Sequence, residues 1–263
     1  MTPSRARAMR TLGPIGLSLA LAFSLAFSLA FSLGCADDVA AAADNPPAAH
    51  RGAKQTGQDL LNGGGGWHSF IRRNSVAGLR GWQHPGLPAG WSVHDGVLSK
   101  SGPVDDLEST RPYKDFDLEL EWEIGKAGNS GIFYRATHEY DEIYWTGPEY
   151  QLLDDAHAED GKSRLTAAGS VYALYPAPAG VAHPYGHWNE ARIVVRGSHV
   201  EYFMNGRKVV DYRLGSADWQ KRVAASKFKA YPGYGRAPEG LIGIQGNHPG
   251  SIAIRDMRIK VLP

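Results

Sequence analysis

The sequence predicts an all-β protein whose strands form a sandwich or jelly roll. Short segments in which apolar and polar residues alternate run through most of the chain, and a period of two is typical of strands with one buried face. Asp95-Gly96 and Asn205-Gly206 interrupt such segments, and both dipeptides favour tight hairpin turns. Only residues 216–226 have a helical pattern. Many short antiparallel strands with glycine-rich turns indicate two packed sheets.

The individual strands can be placed in order from these alternating segments. Residues 91–98 alternate around the Asp95-Gly96 turn and are predicted to begin a hairpin. Residues 116–124 alternate over nine positions, which favours a long half-buried strand. Further strands are predicted at 130–136, 150–154, 188–196, 199–204, 207–212, 241–245 and 251–261.

The long strand carries a ladder of acids. Asp117, Glu119, Glu121 and Glu123 are two residues apart and therefore share one face of the sheet. The ladder is either a solvated sheet face or a concave surface lined with acids. The second alternative would suit a sugar or a cation.

The N-terminal segment is predicted to direct export. Three arginines in the first ten residues precede an apolar run at 12–33, which is followed by Cys35, the sole cysteine. This pattern resembles a lipoprotein signal over 1–35, with Cys35 lipidated; an ordinary signal peptide or a transmembrane anchor is the alternative. We expect a lipid-anchored protein of the cell envelope, facing the periplasm or the outer surface, or a secreted one if Cys35 is not lipidated. Residues 36–56 then form a flexible linker, and 57–263 form a single domain.

The charge of the chain excludes one class of function. Its formal net charge is +1 and no basic stripe is visible. Proteins that bind nucleic acid usually carry a basic patch, so no nucleic-acid partner is expected.

A polar pair interrupts the strand near residue 150. Glu149 and Gln151 are two residues apart, so their side chains share one face. A carboxylate and an amide on a strand that otherwise reads as buried need hydrogen bonds or a ligand. Arg135 ends the preceding strand and is a candidate partner or substrate clamp. The pattern indicates a polar site cut into a β-sheet.

Eight short motifs occur in the order typical of one family. Together with an opening motif they span about residues 59–262, and the chain resembles the 3-keto-disaccharide hydrolase family, formerly a domain of unknown function. The motifs lie at 91–98, 113–122, 128–135, 149–155, 186–190, 205–206, 226–229 and 244–251.

The resemblance implies a fold, a substrate and a partner. The expected fold is a concanavalin A-like jelly roll with ligands on its concave sheet. The expected substrate is a carbohydrate, a 3-keto-glycoside, and an upstream sugar 3-dehydrogenase is expected to supply it. The matched motifs add Asn189, Gln245 and His248 as substrate-binding candidates, although His248 lies three residues after Gln245, where the family pattern has two.

The chemistry of such a substrate calls for a base. A ketone at C3 acidifies the hydrogen at C2; a base removes it, the enolate expels the C1 substituent, and water adds to the enone. The site needs a base with a pKa near neutrality, a cation or metal for the enolate, and a proton donor. Glu149, Asp154 and His157 are the candidates for base and acid, or for ligands of a divalent cation.

Fixed cations and stacking surfaces complete the expected site. Arg135 and Lys227 are the candidate cations, although Arg135 could instead form a structural ion pair with Glu149. Tyr134 and Trp188 are candidate platforms for a sugar ring, with the protein core as their other possible environment.

Two other classes of function stay open at this point. The same sandwich serves non-catalytic, lectin-like carbohydrate-binding modules. A conventional laminarinase-type glycosidase is the third reading, because Glu149 and Asp154 match the outer spacing of its Glu-x-Asp-x-x-Glu strand motif. Gln151 replaces the central Asp of that motif.

Overall fold

The computed structural model describes residues 66–263. The predicted signal segment with Cys35, the linker at 36–56 and the first nine residues of the predicted domain lie outside this part. Within it the strands are β1 (Trp67–Ser69), β2 (Ile71–Arg72), β3 (Ser75–Val76), β4 (Leu79–Gly81), β5 (Ser92–His94), β6 (Val97–Lys100), β7 (Leu107–Ser109), β8 (Phe116–Ile124), β9 (Asn129–Ala136), β10 (Glu149–Leu153), β11 (Asn189–Arg196), β12 (His199–Met204), β13 (Arg207–Arg213), β14 (Leu241–Ile244) and β15 (Ile252–Val261).

These strands form two main sheets, and the predicted all-β sandwich is confirmed. An eight-stranded sheet has the order β13-β12-β11-β8-β15-β6-β5, with β1 paired to β15. A five-stranded sheet has the order β10-β9-β14-β7-β4, and β2 and β3 pair separately. All the strand pairings are antiparallel. The strands β1 to β4 and β7 were not predicted, because two or three residues are too few to show a period.

Helical structure is confined to short segments. The predicted helix is confirmed as α1 (Ala217–Ala225), which begins after Ser216, whose side-chain oxygen accepts a hydrogen bond from the Trp219 N–H. Three 3₁₀ helices lie at Ile143–Trp145, Glu159–Lys162 and Lys227–Ala230. No helix in the described part is long and apolar enough to cross a membrane.

The core lies between the two sheets. Ile132 and Tyr134 on β9 and Tyr150 and Leu152 on β10 are fully buried in it, together with Leu118 and other residues of β8. Because strand side chains alternate, the residues between them in sequence face away from the core. The polar pair of β10 therefore lies on the outer face of the five-stranded sheet.

The acidic ladder of β8 is an ion-paired sheet face, on which Asp117 is buried and the other three acids are half-exposed. Each of three acids pairs with an arginine of a neighbouring strand, and these cross-strand pairs neutralise the ladder. The pairs are Asp117–Arg192 at 2.6 Å, Glu119–Arg258 at 2.7 Å and Glu121–Arg255 at 2.6 Å. The first of the two alternatives is therefore supported, and the acid-lined binding surface is not.

Candidate active site

The candidate site is built on two rows of residues across the outer face of the five-stranded sheet. Glu149 pairs with Phe133, and Gln151 pairs with Gly131. Gln245 extends the second row, since its backbone N–H donates to the Gly131 carbonyl at 2.9 Å. The register therefore brings together a carboxylate and an amide from β10 and a second amide from the residue that follows β14.

Gly131 allows the carboxylate to lie flat against the sheet. A Cβ atom at this position would overlap Oε1, Cδ and Cγ of Glu149. Only glycine leaves that space, so the strand sequence itself makes room for the acid. The arrangement fixes the Glu149 side chain over β9.

The Glu149 side chain is almost fully buried, and its carboxyl has no partner among the described residues. Glu149 is 5% exposed, and among the described residues its carboxylate makes neither an ion pair nor a hydrogen bond. Burial raises the pKa of Glu149 to about 8, Lys227 opposes that rise, and the charges of Asp106 and Asp160 add to it. A carboxyl that titrates near neutrality can accept a proton from a weak acid.

Lys227 supplies the positive charge near this carboxyl. Its Nζ lies 4.4 Å from the ring centroid of Tyr172 and 5.7 Å from that of Tyr144, which are cation–π distances. Lys227 follows Ser226, whose Oγ accepts a hydrogen bond from the Phe228 N–H and starts the 3₁₀ helix. The lysine is exposed, so it can move to meet a bound group.

A second polar group faces Glu149 from the loop that follows β10. The Tyr172 hydroxyl donates to Asp160 Oδ1 at 3.2 Å, and Asn129 Nδ2 donates to Asp160 Oδ2 at 3.1 Å. Burial raises the pKa of the Tyr172 hydroxyl, and the charges of Asp160 and Glu149 raise it further. The hydroxyl therefore stays protonated and can donate a proton or a hydrogen bond.

The two amides have spare hydrogen-bonding capacity. Gln151 Nε2 donates to the Thr166 carbonyl at 3.2 Å, whereas Gln151 Oε1 and Gln245 Oε1 are buried without a partner in the described part. Native structures rarely leave such atoms unpaired. Two unpaired amides beside a carboxyl point to a ligand with hydroxyl groups.

The loop after β14 brings His248 to the same place. Burial lowers the pKa of His248, the charges of Lys100 and Lys227 lower it further, and Asp160 opposes them. Lys100 Nζ donates to the His248 carbonyl at 2.7 Å, and Asp106 Oδ1 accepts the Gly246 N–H at 2.7 Å. Burial raises the pKa of Asp106 to about 6. Lys100 and Asp106 thus position the loop.

The structure therefore joins Glu149, Gln151, Lys227, Gln245 and His248. Sequence reasoning missed the other members of the site, which are Asp106, Asn129, Tyr144, Asp160 and Tyr172. The period of two could have predicted Asn129, because it lies two residues before Gly131 on the same strand face. The loop residues gave no periodic signal.

Arg135 does not meet Glu149. The register between β14 and β9 moves from Leu241–Ala136 to Gly243–Phe133, which places one extra residue on β9, and Arg135 has a φ of 53°. This bulge breaks the alternation on which the expected pairing depended. Arg135 instead donates through Nη2 to the Gly197 carbonyl, so neither the clamp nor the ion pair with Glu149 is formed.

Asp154 and His157 form a structural pair at the end of β10. Asp154 Oδ2 accepts the Ala127 N–H and contacts His157 Nδ1, both at 2.8 Å, while Oδ1 accepts the Ala156 N–H at 3.2 Å. Asp154 also lies five residues after Glu149, just beyond the end of β10. By the rise of a strand, about 16 Å separates the backbones of these two residues, and their side chains belong to opposite faces. The expected acid–base set and the expected cation site of Glu149, Asp154 and His157 are therefore not assembled.

One metal-like group occurs elsewhere in the described part. His199, Glu201 and Asp211 lie close together on the eight-stranded sheet. Lys208 Nζ already contacts Glu201 at 3.1 Å and Asp211 at 2.7 Å, which makes this an ion-paired surface cluster.

Three expected substrate contacts belong to other environments. Tyr134 is fully buried and hydrogen-bonded to Tyr212, so its ring is part of the core and cannot stack on a sugar. The Trp188 ring packs against Arg255, whose Cζ lies 4.0 Å from the ring centroid, at the ion-paired face of the eight-stranded sheet. Asn189 is buried, and its Oδ1 accepts the His183 N–H at 2.7 Å, which is a structural role.

Comparison with known proteins agrees with this fold. A family model described as the 3-keto-alpha-glucoside-1,2-lyase-like domain matches residues 66–260. A protein of Bacteroides thetaiotaomicron named 3-keto-disaccharide hydrolase is 31% identical over 229 residues, which cover 75% of this chain and 79% of that protein.

Solved structures show the same architecture. A crystal structure of a candidate glycosyl hydrolase from Parabacteroides distasonis superposes with a TM-score of 0.70 at 29% identity, covering 80% of this chain and 98% of that one. A second from the same species has a TM-score of 0.59 at 23% identity, covering 74% and 99%, and shows the fold alone. Since the family model matches most of the chain, the protein belongs to the 3-keto-alpha-glucoside-1,2-lyase-like domain family.

Proposed function

We propose that this protein cleaves the glycosidic bond of 3-keto-glycosides and that Glu149 starts the reaction by removing the C2 proton. The named relative and the similar hydrolase structure support a glycoside-cleaving enzyme. The single observation that carries the keto-dependent mechanism is the Glu149 carboxyl, which belongs to a buried side chain, has no partner in residues 66–263 and has a pKa of about 8. A base with such a pKa suits a hydrogen acidified by a neighbouring ketone.

The proposed reaction has two balanced steps. The ionised Glu149 takes the C2 proton, negative charge develops on the C3 oxygen, and the C1–O bond breaks as the leaving oxygen is protonated. Water then adds to the enone, with its hydroxyl at C1 and a proton returned to C2. The net change is hydrolysis, with no oxidant consumed and no oxocarbenium ion formed.

The other residues of the site take roles that follow from their charge or from their capacity to donate and accept hydrogen bonds. Lys227 is the cation beside Glu149 and is suited to hold the developing enolate. The Tyr172 hydroxyl keeps its proton and is the nearby group suited to protonate the leaving oxygen, whereas the His248 imidazole, whose pKa burial lowers, is suited to hydrogen-bond the sugar. Gln151, Gln245 and Asn129 are suited to bind sugar hydroxyls.

A conventional retaining glycosidase is less well supported. Such an enzyme needs two carboxyl groups about 5 Å apart. Asp154, the second acid of the strand motif, is 2% exposed and accepts two backbone N–H groups. It is therefore not available as the partner of Glu149.

The function is tested by comparing a 3-keto-glucoside with the matching ordinary glucoside. We expect release of the aglycone from the keto substrate alone. Equal rates on both substrates would refute the keto-dependent mechanism. Binding of both without turnover would favour the lectin-like alternative.

The proposal extends to the place where the enzyme works. A 3-keto substrate must be supplied by a reaction that oxidises the C3 hydroxyl, so we propose a sugar 3-dehydrogenase upstream. The signal-like segment and Cys35 are consistent with lipid anchoring in the cell envelope, which we propose on sequence grounds alone.

A further inference from the structure

A cavity is lined by residues other than those of the candidate active site. It has a volume of about 760 Å³, and its lining includes Trp219 of α1 and Tyr234. Neither Glu149 nor Lys227 lines it. The reaction proposed above therefore makes no use of this cavity.

The charged residues of its lining all have one sign. Lys114, Arg135, Lys229 and Arg236 line the cavity, with no acidic residue among the lining side chains that the structure describes. Asp115, next to Lys114 in the chain, accepts the Gly197 N–H at 2.6 Å and is engaged there. Clustered cations at a concave surface raise the local concentration of anions.

Arg135 is held in the cavity wall at a cost in backbone strain. It is 6% exposed and adopts a φ of 53°, which a residue with a side chain rarely takes. Its guanidinium is hydrogen-bonded to the Gly197 carbonyl through Nη2, while its buried Nε–H has no partner in the described part. A buried, incompletely paired arginine needs an acceptor.

We infer that this cavity binds an oxyanion carried by a sugar ring, a carboxylate or a phosphate, through Arg135. Guanidinium groups bind both oxyanions with paired hydrogen bonds. The exposed Lys229 and Arg236 attract the anion from the rim. The apolar and aromatic wall that includes Trp219 faces the body of the ligand.

The test is calorimetric titration of the full-length protein with glucuronate, glucose 6-phosphate and glucose. We expect at least one anionic sugar to bind and neutral glucose not to bind. The preferred anion identifies carboxylate or phosphate as the natural group. Equal binding of glucose, or no binding of either anion, would overturn the inference.

Variants locate the binding. Arg135→Gln should weaken it about 10-fold or more, the scale of a charged hydrogen bond, with folding checked by circular dichroism. Lys229→Ala combined with Arg236→Ala changes exposed residues alone and should weaken it about 2- to 20-fold. Lys221→Ala, an exposed lysine of α1 outside the lining, is the matched control and should bind as wild type.

Binding of the anion at the candidate active site is excluded by one further variant. Glu149→Gln should bind the anionic sugar as wild type, whatever its activity. Two results together would contradict binding in the cavity: tighter binding to Glu149→Gln, and unchanged binding to the Lys229→Ala, Arg236→Ala double variant. They would place the ligand at the candidate active site. Failure of the keto-dependent reaction would leave this outcome unaffected.

Discussion

Replacing Glu149 with glutamine should abolish turnover and stabilise the fold above neutral pH. The substitution keeps the shape of the side chain over Gly131 and removes its ability to take a proton. If Glu149 is the base, turnover should fall about 10²-fold or more, the usual scale for a positioned acid–base group.

The stability effect follows from the raised pKa. Folding moves the pKa of Glu149 from 4.5 to about 8, so between these values the folded protein binds a proton that the unfolded chain has lost. The free energy of unfolding therefore falls as the pH rises through this window. The difference between the two pKa values corresponds to at most about 5 kcal/mol in the free energy of unfolding. We expect Glu149→Gln to gain about 1–2 kcal/mol of this, because water partly reduces the cost of burying an active-site carboxylate.

The assay is urea unfolding at pH 5 and pH 9, with turnover measured on the same samples. The stability gain of Glu149→Gln should appear at pH 9 and nearly vanish at pH 5. Glu108→Gln is the control, because Glu108 is fully buried but pairs with Arg80 at 2.7 Å and with His138 at 2.5 Å. Breaking that buried pair should destabilise the protein by about 3 kcal/mol.

The reasoning fails if Glu149→Gln is less stable than wild type at pH 9. It fails equally if the variant keeps near-normal turnover per folded molecule. Either result would make Glu149 a structural residue, whatever the behaviour of the control.

Other perturbations test the surroundings of this carboxyl. Lys227→Met removes the charge that opposes the raised pKa, so the acidic limb of kcat/KM against pH, where activity rises as Glu149 ionises, should move to higher pH. Asp160→Asn removes a charge that raises the pKa and should move the limb to lower pH; no movement in either variant would exclude Glu149 as the titrating group. Gly131→Ala should displace the Glu149 side chain and lower kcat/KM about 10²-fold with the fold retained, and normal activity would contradict the close approach. Cys35→Ser should yield a protein without lipid by mass spectrometry, and an unlipidated wild type would disprove the anchor.

Much of the fold could be predicted because its signals are local. The alternation of residues 116–124 and the Asn205-Gly206 turn depend on neighbours in sequence, and both appear as expected. Glu149 and Gln151 could be assigned to one face for the same reason. A period of two fixes the face without any knowledge of the partner strand.

The remainder depends on contacts between distant segments. The bulge at Arg135 shifts one residue of β9, and nothing in the local pattern marks it. Asp160 and Tyr172 reach the site from an irregular loop, where no period exists to predict a direction. The offset of His248 from the family pattern did not prevent it from lying near Lys227, because Lys100 holds the backbone of that loop.

The most direct test of the proposed chemistry is turnover of a 3-keto-glucoside that carries deuterium at C2. If Glu149 removes this hydrogen in the slow step, the labelled substrate should react more slowly, and the released product should have exchanged its C2 hydrogen with solvent. Glu149→Gln should lose the exchange together with the turnover. Cleavage at the same rate for both isotopes, with the C2 label fully retained in the product, would contradict the account.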